Sequence, residues 1–99
     1  MTRRELLEWL GNRRPAPPAA LRARLAAAVA DRAEPLPQHL AHLGGELLAR
    51  VARHPAGGRE LALDLLAADA FVTYAFEAQA EADVEGLARL AEDVAGAEA

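Results

Sequence analysis

Residues 59–82 read RELALDLLAADAFVTYAFEAQAEA, and the placement of apolar residues along this stretch decides the fold. At about 100° per residue, Leu61, Leu65, Ala68, Val72, Ala75, Phe76 and Gln79 fall on one helix face. Leu63, Ala67, Ala70, Phe71, Tyr74 and Ala78 continue the apolar surface round the back, and only a stripe near Asp69, Thr73 and Glu77 stays polar. The β-prone run Phe71-Val72-Thr73-Tyr74 lies in helical surroundings, which override a local strand preference. A helix that is apolar nearly all round belongs at the centre of a bundle, or at an interface with another copy.

The segments on either side supply its neighbours. Upstream, a third helix opens at Glu34-Pro35-Leu36-Pro37 and carries the stripe Leu36, Leu40, Leu43, Leu47 and Val51, a narrow seam suited to antiparallel packing. Gly44-Gly45 interrupts it, marking either a kink or a close approach of helices. His54-Pro55-Ala56-Gly57-Gly58 separates the third helix from the fourth. A second helix over about 18–33 has Leu21, Leu25, Ala28 and Val29 on one face. Ahead of it lies a proline-rich connector at 13–18, and a short first helix at 2–12 opens with the capping box Thr2-Arg3-Arg4-Glu5. Downstream, a fifth helix over about 84–95 turns Val84, Leu87, Leu90, Ala91 and Val94 inward, and residues 96–99 are expected to fray. The expected fold is therefore all-α: residues 1–99 as a single helical domain, one compact bundle of four to five antiparallel amphipathic helices with a helical core at 18–95.

Composition agrees with that class. Hydrophobic residues are 53% and charged residues 26% of the 99, which is neither disordered nor membrane-like. No apolar run approaches the ~20 residues needed to span a bilayer, so no membrane partner is expected. No apolar segment follows the N-terminal arginines as a secretory signal requires, and cytoplasmic is the default compartment. Lysine, isoleucine, serine and cysteine are absent while alanine, leucine and arginine abound, the usage of a GC-rich bacterial gene. The missing cysteine and serine exclude disulfides, Cys-ligated zinc and a Ser or Cys nucleophile.

The net charge of −4 hides an asymmetry. Residues 1–33 hold seven arginines against three carboxylates, whereas residues 64–99 hold Arg89 against nine. Either the two ends pack side by side or opposite charges meet within the bundle, or the molecule is a dipole that associates head to tail or meets a charged partner through one pole.

Few residues carry candidate chemistry. His39, His42 and Glu46 lie along one flank of the third helix at spacings of three and four, a set that could ligate zinc or iron; as a solvated flank, Glu46 would instead pair with Arg50. Asp64 and Asp69 interrupt the apolar surface of the fourth helix, where a carboxylate needs a partner, an arginine of another helix being the expected one. Arg3-Arg4 and Arg13-Arg14 with Trp9 between them resemble a phosphate-and-stacking surface, but the acidic total and a pI near 5.3 argue against nucleic acid. Gly57-Gly58 lacks the spacing of a phosphate-binding loop.

No cofactor is expected, and an interaction role is favoured over catalysis. The reading is a protein–protein interaction module that self-associates, dimer favoured, through Leu63, Leu66, Phe71 and Tyr74 of the fourth helix. The alternative is a metal- or small-molecule-binding bundle, enzymatic in one version, with a pocket lined by His39, His42, Asp64 or Asp69.

Overall fold

The computed structural model describes residues 1–53 and 57–98. Its helices are α1 (Arg3–Gly11), α2 (Ala19–Ala28), α3 (Leu36–Ala52), α4 (Arg59–Ala82) and α5 (Leu87–Glu98), with a 3₁₀ turn at Val84–Gly86, and there is no strand among the described residues. The radius of gyration is 13.1 Å, against about 13 Å for a compact chain of this length. The fold is an all-α bundle. His54, Pro55 and Ala56 of the α3–α4 break lie outside the described residues, as does Ala99; α5 runs through Gly96 to Glu98, past the point where fraying is expected.

Helix starts follow local chemistry. Thr2 caps α1 by accepting from the Glu5 N–H, and the Glu5 carboxylate accepts from the Thr2 N–H, closing the capping box. Pro18 and Pro35 stand at the N-caps of α2 and α3. Gly58 caps α4 with φ of 143°, a backbone region glycine enters without the Cβ clash other residues meet.

α4 runs through the centre, and its most extensive packing is against α3. Phe71, Ala67, Ala68, Ala75 and Ala78 of α4 are buried with Leu40, Leu43 and Leu47 of α3. Leu6 from α1, Leu25 from α2, Val29 at the end of α2, and Leu90 from α5 close the core. The alanines let neighbours approach α4 closely, and Gly44 is where α3 comes nearest. A methyl group there would lie 2.9 Å from Val72 Cγ2 and 3.0 Å from the Ala68 carbonyl oxygen. Of the two readings of Gly44-Gly45, close approach holds at Gly44.

Two element boundaries differ from the sequence expectation. α2 stops at Ala28, not near Ala33, because the next residues leave the helix to receive the N-terminus. Val29 turns extended and buries its side chain, the Met1 ammonium donates to the carbonyls of Arg32 and Glu34, and the Arg32 N–H donates back to Met1 at 3.2 Å. The Arg3 N–H donates to the Asp31 carboxylate, adding a second tie. These long-range hydrogen bonds outweigh the helix preference of an alanine-rich segment. At the other end, Val84 lies in the 3₁₀ turn, where the different pitch takes it off the inward face of α5 and leaves it 65% exposed. Asp83 caps that turn by accepting from the Glu85 N–H, and Gln79 donates its amide to the Asp83 carbonyl at 2.8 Å.

Candidate interaction groove

The two histidines and Glu46 share a flank of α3 but take separate partners. His39 is fully buried, and its Nε2–H donates to the Ala30 carbonyl at 2.8 Å. Its Nδ1 is buried without a hydrogen-bond partner among the described residues. Burial holds its pKa below the ordinary histidine value, with the Ala30 hydrogen bond working in the other direction. His42 pairs with Glu34, and Glu46 pairs with Arg32. Arg32 also binds Glu34, so the α2–α3 connection is held by a network of two carboxylates, one guanidinium and one imidazole. Burial raises the Glu34 pKa, but the hydrogen bond from Arg32 and the nearby His42 bring it below the usual value overall. Among the described residues no group of three His, Cys, Asp or Glu side chains is arranged to hold a metal ion.

The aspartates of α4 divide. Asp64 is paired with Arg24 of α2, a partner from another helix as a largely buried carboxylate requires. Asp69 is exposed. The arginine–tryptophan surface at the N-terminal end is occupied by the bundle itself. The Arg13 guanidinium stacks 4.0 Å from the Trp9 ring centre and pairs with Glu81 at 3.0 Å, while Trp9 meets Tyr74 edge-on with ring centres 6.1 Å apart. Basic residues of the first third thus meet carboxylates of α4 within the molecule.

Of the four interface candidates on α4, two are taken up by the chain's own packing. Phe71 is fully buried in the core because α3 covers it at the Gly44 crossing, and Tyr74 is half-buried under Trp9. Leu63 is half-buried, and Leu66 is 56% exposed. The helix is therefore central to its own bundle, and its uncovered apolar surface is narrower than its sequence implies. That surface also includes Leu65, 49% exposed, which periodicity places on the inner face.

Leu65 borders a groove of about 170 Å³ between three helices. α3 supplies Ala41, Gly44, Gly45 and Leu48; α4 supplies Leu65, Ala68, Asp69 and Val72; α5 adds Val94. The floor is made of small residues, and a methyl group at Gly45 would meet nothing within 4 Å. From Ala41 to Leu48 the groove follows about 10 Å of helix, two turns. A neighbouring hollow shares Ala41 and Val94 with it and adds Gln38, His42, Leu90 and Asp93. Sequence periodicity misses this site because it reads one helix at a time. Gly45 and the pair Leu65-Leu66 are its visible traces, but which faces three helices leave uncovered depends on their packing. No protein-family model matches this chain, nor does any curated protein or any solved structure.

Proposed function

We propose that this chain is a protein-interaction module that takes an apolar helix of another polypeptide into the α3–α4–α5 groove. The observation that supports it is the placement of Leu65 and Leu66. Among the described residues the large apolar side chains left exposed are Leu65, Leu66 and Val84, and the first two lie at or beside the groove. An amphipathic helix laid in such a groove is read through anchors at i, i+3, i+4 and i+7, the span of two turns. At about 170 Å³ the groove is below the ~300–1,000 Å³ of small-molecule sites, which favours an inserted side chain over a cofactor.

The test is a titration with a synthetic amphipathic peptide carrying leucines at those four positions and glutamines elsewhere. Saturable binding that Gly45→Leu abolishes supports the reading, because the new side chain fills the groove while the position has room for it. Absence of binding to the wild-type chain sinks it.

Self-association is the second reading, favoured by Leu66, which is exposed but outside the groove lining. An isologous dimer across α4 would bring together two copies of the stretch 64–99, which holds nine carboxylates against one arginine. Sedimentation equilibrium at high micromolar concentration separates the two, a concentration-dependent dimer lost on Leu66→Glu favouring self-association.

A further inference from the structure

We infer that the partner helix is basic: its apolar stripe is flanked by arginines or lysines that meet Asp69 of the groove and Asp93 of the hollow beside it. This rests on the docking reading above and names the chemistry of the occupant. Asp69 lines the groove from α4, and Asp93 lines the adjoining hollow from α5, next in sequence to the shared Val94. Both are exposed, and among the described residues neither makes an ion pair. The carboxylates Glu34, Glu46, Asp64, Glu77 and Glu81, by contrast, are matched to Arg13, Arg24, Arg32 or His42. The charge left over beside the exposed leucines is thus negative. His42 lines the same hollow as Asp93, but it is engaged with Glu34.

A folded second copy does not offer the complementary surface. Its exposed large apolar side chains belong to residues 64–99, the acidic stretch, and its arginine-rich helices α1 and α2 turn Leu6 and Leu25 into the core. A helix that is both apolar on one side and basic beside it therefore comes from a different polypeptide. Each exposed ion pair strengthens binding by a factor of roughly 1.4 to 5, so two together give roughly a two- to twenty-five-fold preference for a basic over a neutral flank.

The test uses three labelled peptides with the same leucine stripe and flanks of arginine, glutamine or glutamate, titrated into the intact chain by fluorescence anisotropy. The expected order is arginine tighter than glutamine tighter than glutamate. The arginine advantage should collapse in the double variant Asp69→Asn, Asp93→Asn and at about 0.5 M salt, where screening acts within a few ångströms. Glutamine-peptide binding should persist under both conditions. Equal affinity for the arginine and glutamine peptides overturns the basic-partner inference and leaves groove docking standing. Failure of all three peptides removes the docking reading itself. A wild-type dimer that Gly45→Leu breaks identifies a second copy as the occupant and overturns the inference.

Discussion

Gly44 and Gly45 are adjacent on α3 and sit in opposite surroundings. Gly44 faces α4, where a Cβ would press on Val72 and on the Ala68 carbonyl; Gly45 faces the open groove. Gly45→Ala should therefore raise stability by about 1 kcal/mol through helix propensity. Gly44→Ala gains the same propensity but overpacks the crossing, by about 1–3 kcal/mol, and should be neutral to destabilising. Thermal unfolding of the two variants checks the contrast, and a stabilised Gly44→Ala would show that α3 is not held so close. His39 is the other residue whose setting predicts a measurement. Its folded-state pKa is lowered, so below the ordinary value of about 6.5 the unfolded chain binds a proton that the folded chain does not. Stability should fall as pH drops below that point, by up to about 1.4 kcal/mol per unit until the folded imidazole also protonates. Glu34 acts in a separate window, since its lowered pKa makes its contribution fade only below about 4.5. Denaturant midpoints between pH 7 and 5 should show the His39 slope, and His39→Gln, which retains an N–H donor for Ala30, should flatten it.

At the scale of elements, the Arg24–Asp64 pair joins α2 to α4 with both side chains largely buried. Arg24→Ala leaves the Asp64 carboxylate without its partner and should cost about 1–3 kcal/mol, whereas the double variant with Asp64→Ala should recover part of that loss. A double-variant loss equal to the sum of the Arg24→Ala and Asp64→Ala losses would show that the two groups are uncoupled. The helices themselves were legible in the sequence wherever a strong local signal existed. The Thr2–Glu5 capping box starts α1, prolines open α2 and α3, and the apolar pattern of 59–82 matches α4 from end to end. Their ends were less so. Nothing in Val29 to Ala33 announces that the Arg32 carbonyl receives Met1 and the Asp31 carboxylate receives Arg3, because those partners lie about thirty residues upstream. Val84 misled for a related reason, since a helical wheel assumes α pitch and the chain takes a 3₁₀ turn.

For the whole molecule, the charge asymmetry has a partly internal explanation. Arginines from the first third are matched to Asp64, Glu77 and Glu81 of α4, and Arg32 to Glu34 and Glu46. What remains unmatched around the groove is acidic. The candidate site was legible only in fragments. The polar interruptions His39, His42, Glu46 and Asp64 stand out in the sequence, yet packing gives each a structural partner, while the groove is built largely from alanines, glycines, leucines and valines whose significance depends on what the neighbours leave uncovered. Phe71 shows the converse, an apolar residue that sequence offers to a partner and the chain's own α3 covers. The most direct test of the groove is chemical-shift mapping of the ¹⁵N-labelled chain during titration with the arginine-flanked peptide, on wild type and on Gly45→Leu. Docking predicts saturable shifts concentrated at Gly45, Leu48, Leu65, Val72 and Val94, and their loss in the variant. Shifts that are absent, that map elsewhere, or that survive Gly45→Leu unchanged would contradict it.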